Sequence, residues 1–208
     1  LANAVFPKGT TTVIWTVTDV SSNTASCSFD VVVTDNEDPT IACVSSQSKN
    51  TDAGVCNYTT IGTEFDPATY ADNCPGSTIV NSYNNSATLA NAVFPKGTTT
   101  VIWTVTDASS NTVSCSFDVV VTDNEVPTIA CVSSRSKNTD VGVCNYTTIG
   151  TEFDPATYAD NCPGSTIDNS YNNSATLANE VFPKGTTTVI WTVTDASSNT
   201  VSCSFDVV

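Results

Sequence analysis

The stretch Phe94-Pro95-Lys96-Gly97-Thr98-Thr99-Thr100-Val101-Ile102-Trp103-Thr104-Val105-Thr106-Asp107 occurs three times, starting at Phe6, Phe94 and Phe182, at an interval of 88 residues. Pro-Lys-Gly reads as a turn, because proline presets one backbone angle and glycine supplies the unusual one. Beyond the turn, Val101, Trp103 and Val105 share one face, while Thr100, Ile102, Thr104 and Thr106 share the other. A period of two in β-branched and aromatic residues predicts a long half-buried strand.

Working outward, residues 1–120 and 89–208 differ only at positions 20, 25, 38, 47, 53, 80 and 92 and their partners 88 later, so 113 of 120 are identical. This is a recent duplication. The period is too long for a solenoid turn and suits one small domain per repeat. A unit that opens after Thr-Asp divides the chain into residues 1–35, the C-terminal part of one repeat, 36–123, a complete repeat, and 124–208, a repeat lacking its last few residues. This framing suggests a window of a longer, near-periodic polypeptide. With no Met and no apolar leader, the chain reads as a mature or truncated product, with any export signal outside it.

Composition removes several classes of function. The 208 residues carry a net charge of −15, from 21 acidic and 6 basic side chains. Nucleic-acid phosphates require basic surface, so that partner is excluded. No run approaches the ~20 apolar residues of a membrane-spanning helix. There is no His, which rules out Ser/His and Cys/His catalytic arrangements. Carboxylate pairs such as Glu64 and Asp72 recur in each unit, and tandem repetition suits avidity or architecture better than catalysis. The chain is therefore not expected to be an enzyme.

Along 36–123, strand signals cover Pro39–Val44, Val55–Ile61, Ser77–Tyr83, Ala87–Val93, the Trp103 stretch and Val113–Thr122. Turn residues separate them, and one helical turn is expected over Pro67–Tyr70. Short strands at this spacing predict an all-β fold of tandem antiparallel β-sandwiches. Trp103, Phe117 and Phe94 fall at core positions, whereas Tyr58, Tyr70 and Tyr83 are candidates for exposure.

The run F-P-x-G-T-T-T-V-x-W-T-V-T-D-A-S-S-N-T-V-S-C-S-F-D-V-V-V-T-D, followed by P-T-I-x-C and D-N-C, resembles the hyalin repeat (HYR) domain over a whole unit and so over essentially the whole chain. The resemblance implies an immunoglobulin-like sandwich in extracellular and adhesion proteins, large bacterial surface adhesins among them, and no enzyme activity. Ser110 stands where the family often has Gly, which implies a different turn type there.

Nine cysteines without a C-x-x-C pair fit disulfides better than zinc, and disulfides place the chain outside the cell or at its surface. In a domain with so small a core, such cross-links add needed stability. Strand parity puts Cys43 inward with Ile41 and Cys115 inward with Phe117. It therefore predicts Cys43–Cys115 and Cys131–Cys203, with Cys56–Cys74 and Cys144–Cys162 flanking the loop. The rival is a junction staple, Cys27–Cys43 and Cys115–Cys131.

At the unit boundaries, Asp35-Asn36-Glu37 and Asp123-Asn124-Glu125 offer hard oxygen ligands of the kind calcium takes. Glu64, Asp66, Asp72, Asn73 and the Asp107–Asn111 turn are possible contributors; the alternative is that these Asp and Asn residues serve local turns. Asn57, Asn84, Asn145 and Asn172 fit the N-x-[ST] glycosylation pattern. Two readings of function stand. One is a long extracellular stalk or filament whose partners are neighbouring repeats and other copies in a fibre. The other is an adhesion module binding polysaccharide or a surface ligand through repeated weak sites.

Overall fold

The repeated Trp segment is a strand in every copy: Gly9–Thr18, Gly97–Thr106 and Thr187–Thr194. The structure is a computed structural model that describes every residue, Leu1–Val208, and it holds strands and turns but no helix. The expected helical turn at Pro67–Tyr70 is absent. There, the Asp66 carboxylate accepts hydrogen bonds from Leu89 N–H at 2.7 Å and Thr88 Oγ1 at 2.6 Å, holding the segment as an open loop.

The chain divides into two compact units whose limits do not follow the repeat frame. One comprises Leu1–Ser45, Thr63–Ala90 and Val101–Phe117; the other comprises Ser46–Gly62, Asn91–Thr100 and Asp118–Val208. Each inter-repeat junction therefore lies wholly inside one unit.

In the second unit, the Trp191 strand pairs antiparallel with Thr166–Asn169 on one side and with Thr200–Val207 on the other. Two short antiparallel ladders complete the repeat, Thr128–Ile129 with Tyr158–Ala159 and Asn145–Thr147 with Val181–Pro183. Val189, Trp191, Phe205 and Val207 meet Phe153, Leu177 and Phe182 in one buried cluster, with Ile129 and Tyr146 packed against it. Alternation dictates which side chains enter: Val189, Trp191 and Val193 are buried, while Ile190 between them is exposed. The buried indole N–H of Trp191 donates to the Phe153 carbonyl at 3.1 Å.

The first unit repeats this logic. Thr78–Asn81 pairs with the Trp103 strand, and the Trp103 indole donates to the Phe65 carbonyl at 3.2 Å. Phe117 stands edge-on to Phe65, with ring centroids 6.1 Å apart. In the first copy, Gly9–Thr18 pairs with Thr24–Val33 as a two-stranded hairpin. No second layer covers it, so Trp15 is 53% exposed whereas Trp103 and Trp191 are fully buried.

Several strands are shorter than their apolar runs predict. Pro39–Val44 reduces to Thr40–Ile41, and Ala87–Val93 gives way to Val93–Pro95 because Leu89 turns inward and Ala92 exchanges hydrogen bonds with Thr60. Gln47–Asn50, which has no apolar alternation, pairs parallel with Val119–Thr122. Tyr58 is buried, contrary to the exposure expected of it, because its partner across the ladder is the buried Phe94; Tyr70 and Tyr83 are exposed.

Candidate functional site at the inter-repeat junctions

Each junction is organised by an aspartate at the end of a long hairpin. The Asp35 side chain is only 3% exposed. Its carboxylate accepts from Ser109 Oγ at 3.1 Å, the Lys8 ammonium at 3.4 Å and Glu37 N–H at 3.3 Å. Asn111 Nδ2 donates to the Asp35 carbonyl at 3.2 Å. In the other unit, Asp123 makes the same set with Ser197, Lys96, Glu125 N–H and Asn199. Burial pushes the Asp35 carboxyl up, but bonds from Glu37 N–H, Cys74, Ser109 and Lys8 outweigh it and hold the group below its ordinary value.

The turn that meets Asp35 is built by Asp107, whose carboxylate accepts from the Ser109 and Asn111 N–H groups at 2.8 and 2.7 Å and from Asn111 Nδ2 at 2.8 Å. Burial likewise raises the Asp107 carboxyl, and these bonds overcome it. Ser110 has φ 74°, and Ser22 and Ser198 have φ 68° and 71°. The turn thus holds the left-handed conformation that glycine favours, with serine at that position.

The candidate cation residues do not converge on one point. Along the extended linker, Asp35 faces the turn and Asn36 faces solvent. Glu37 Oε2 accepts from Asn73 Nδ2 at 2.9 Å. Asp123, Asn124 and Glu125 diverge in the same way, with Glu125 Oε2 accepting from the Gly54 N–H at 2.8 Å. The groups that do meet are Asp35, Asp72 and Cys74, and separately Asp123, Asp160 and Cys162, each set with ligand atoms within 4.8 Å of one another. Asp72 Oδ1 and Asp160 Oδ1 are buried with no hydrogen-bond partner. Two carboxylates supply at most four of the 6–8 oxygens calcium takes, and a lysine ammonium lies against one of them. The fit to calcium is therefore partial. Of the other acidic candidates, Asp66 is committed to its own loop and Asp107 to its turn.

Disulfides join Cys43 to Cys115 and Cys131 to Cys203, the partners 72 positions apart in sequence in each case. Cys115 and Cys203 are half-buried, Cys203 against the core cluster, as parity placed Cys115, whereas Cys43 and Cys131 are exposed and not inward as parity suggested for Cys43. The loop pairs Cys56–Cys74 and Cys144–Cys162 are replaced by one bond, Cys56–Cys162, with Cα atoms 4.7 Å apart. The physical reason is that Cys56 packs in the unit containing residues 118–208, whereas Cys74 packs with residues 1–45. Cys27, Cys74 and Cys144 are free. The rival junction staple through Cys27–Cys43 and Cys115–Cys131 is also absent, because Cys43 and Cys115 are bonded to each other.

The Cys56 loop is seated by more than its sulfur. Beside the Gly54–Glu125 bond, Asn161 Nδ2 donates to Thr51 Oγ1 at 3.2 Å and to the Val55 carbonyl at 3.1 Å. None of these contacts is visible in a motif, although the invariant Asp-Asn-Cys spacing of each repeat marks the receiving residues.

Of the glycan candidates, the Asn172 side-chain nitrogen donates to the Thr176 carbonyl at 3.0 Å and Glu180 Oε1 at 2.8 Å, and that of Asn84 to the Thr88 carbonyl at 3.3 Å. A glycan replaces one of the two hydrogens on the nitrogen, so on Asn172 it would remove at least one of these two bonds. Asn57 and Asn145 are half-buried in short strands.

The family model for the HYR domain matches residues 2–33, 34–121 and 122–208. Hyalin of Strongylocentrotus purpuratus is 29% identical over 207 residues, covering 93% of this chain and 16% of that protein. A sushi, von Willebrand factor type A, EGF and pentraxin domain-containing protein 1 of Rattus norvegicus is 30% identical over 131 residues, 59% of this chain and 3% of that protein. The chain thus spans a small part of the relatives it matches. Among solved structures, protocadherin gamma B7 extracellular cadherin domains 1–4 align over 95% of this chain and 56% of theirs, at 14% identity and a TM-score of 0.37.

Proposed function

This chain belongs to the HYR domain family, and from that premise we propose that its repeats form a stiff extracellular stalk in which successive domains are stapled head to tail. The all-β, immunoglobulin-like repeat is extracellular or at the cell surface, adhesion-type and non-enzymatic. The repeat frame of this reading is 1–35, 36–123 and 124–208. The observation that carries it is the Cys56–Cys162 bond, which ties the middle repeat to the third outside the peptide linker. A linker crossed by one strand of chain is a hinge, and a second covalent tie with the Asp123 network around it removes that freedom. Small-angle scattering tests this on the oxidised chain and on the C56S/C162S double variant. The stalk reading expects a broader distance distribution once the tie is lost; superimposable profiles would refute it.

Calcium enters this reading as a second stiffener, supported by the unpartnered Oδ1 atoms of Asp72 and Asp160 beside Asp35 and Asp123. Its test is separate: a cation there raises the melting temperature on calcium addition, and a chelator-insensitive temperature removes it. Adhesion to polysaccharide is supported by exposed Tyr70, which lines an open groove with Asp66, Pro67 and Ile79. Binding to a glycan array that is lost in Tyr70→Ala supports this, and an array that stays blank excludes it.

A further inference from the structure

The near-identity of the repeats lets one junction be compared with the other inside the same chain. At the second, the groove residues Glu125, Asn161 and Cys162 hold the loop Thr51-Asp52-Ala53-Gly54-Val55-Cys56 through the three hydrogen bonds and the disulfide described above. At the first, the equivalent residues are Glu37, Asn73 and Cys74. No loop sits there. Glu37 and Asn73 bond to each other instead, the Cys74 thiol is free, and an open groove of about 450 Å³ is lined by Lys8, Asp35, Asn36, Glu37, Asn73 and Cys74.

The complementary part is also present without a partner. Thr139-Asp140-Val141-Gly142-Val143-Cys144 repeats the seated loop, with Cys144 free and exposed. Its internal bonds are the same as those of the seated copy. Asp140 N–H donates to the Asn145 carbonyl at 2.7 Å, Val143 N–H to the Asp140 carbonyl at 3.2 Å, and Thr147 N–H to Asp140 Oδ2 at 2.9 Å. Asp52 makes these three bonds at 2.7, 3.2 and 2.9 Å. Gly54 and Gly142 both adopt positive φ, 75° and 83°. The loop is therefore formed before it docks, so little ordering entropy opposes its seating.

We propose that the Glu37–Asn73–Cys74 groove is a receiving site for the Thr-Asp-x-Gly-Val-Cys loop of another HYR repeat, which seats on Glu37 and Asn73 and locks by thiol–disulfide exchange: the Cys74 thiolate attacks the loop cysteine held as a mixed disulfide with a small thiol, and that small thiol leaves as the Cys74–loop bond forms. The inference rests on the stapled-repeat reading, but it concerns recognition by the groove and is tested without measuring stiffness. The incoming loop's glycine N–H would pair with Glu37 Oε2, as Gly54 does with Glu125, and Asn73 Nδ2 would turn from Glu37 to the loop's threonine hydroxyl and valine carbonyl. Burial raises the Cys74 thiol pKa, and the hydrogen bond and charge of Asp35 raise it further. An unguided reagent will therefore find Cys74 less reactive than an exposed thiol of ordinary pKa.

The probe is a peptide of residues 50–60, with its cysteine activated as a mixed disulfide with thionitrobenzoate. Cys74, as thiolate, attacks the peptide sulfur. The new S–S bond forms as the old one breaks, and thionitrobenzoate leaves with the electron pair while the Cys74 proton passes to solvent. On the intact chain, a small aromatic disulfide is expected to label Cys27 and Cys144 ahead of Cys74. The peptide is expected to reverse that order, reacting at Cys74 about tenfold faster than a scrambled peptide of the same composition, because docking raises its local concentration. N73A and E37Q should each erase most of that advantage while leaving labelling by the small disulfide unchanged. The proposal is overturned if the scrambled peptide reacts at Cys74 equally fast, or if the cognate peptide distributes over the three thiols as the small disulfide does.

Discussion

Cys56 and Cys162, 106 residues apart in sequence and on successive repeats, are joined by a disulfide with Cα atoms 4.7 Å apart. The linker Thr122–Pro127 between those repeats is therefore bridged by two covalent paths. Cutting one exposes the other. In the C56S/C162S variant, proteolysis within Thr122–Pro127 is expected to accelerate several-fold, since cleavage follows local opening. Unchanged cleavage kinetics, read by mass spectrometry of the fragments, would mean that the staple does not restrain the linker.

The three tryptophans form an internal control, since the same strand sequence surrounds each. Trp191→Ala empties a fully buried site and is expected to cost about 3–5 kcal/mol. Trp15→Ala acts on a half-exposed ring and should cost less than about 0.5 kcal/mol. Denaturant titration separates them, and acrylamide should quench Trp15 fluorescence while sparing Trp103 and Trp191.

Ser110 and Ser198 hold left-handed φ values of 74° and 71°. Relief of the side-chain clash, about 1–2 kcal/mol, is partly offset by glycine's entropy, about 0.5–1 kcal/mol. Ser110→Gly should therefore stabilise its repeat by roughly 0.5–1 kcal/mol, raising the melting temperature by about 2–6 °C. Calorimetry reads this directly, and a lowered temperature would show that the serine has a role beyond shaping the turn.

Glu152 accepts hydrogen bonds from the Lys137 ammonium, the Tyr146 hydroxyl and the Ile149 N–H. Burial raises its carboxyl, but these partners prevail and hold it at about 2 against an ordinary 4.5. A depressed carboxyl stabilises the fold above the unfolded value, and that contribution is lost as pH falls from 4.5 toward 2. Glu152→Gln should thus lower stability at pH 7 by on the order of 1 kcal/mol after solvent screening, and the deficit should vanish near pH 2. A pH-independent deficit in thermal melts would assign the loss to packing.

What could be read from the chain alone follows from where each signal lives. Val101, Trp103 and Val105 alternate within one strand, so their burial was legible in local order. Gln47–Asn50 pairs through its backbone, with no apolar pattern to reveal it. Cys56–Cys162 was hidden for a different reason. Every repeat offers the same cysteines, and periodicity cannot say whether Cys56 meets the Asp-Asn-Cys of its own repeat or of the next. Asp35, Asn36 and Glu37 look like one ligand cluster because they are adjacent, yet an extended backbone sends Asn36 away from Asp35, and Glu37 is taken up by Asn73. The burial of Tyr58 is not legible locally because its cover, Phe94, lies far along the chain.

Non-reducing peptide mapping of the 208-residue chain tests the stapled junction most directly. The account predicts a linked peptide pair containing Cys56 and Cys162, together with Cys43–Cys115 and Cys131–Cys203. Recovery of Cys56 bonded to Cys74, with Cys144 bonded to Cys162, would contradict it.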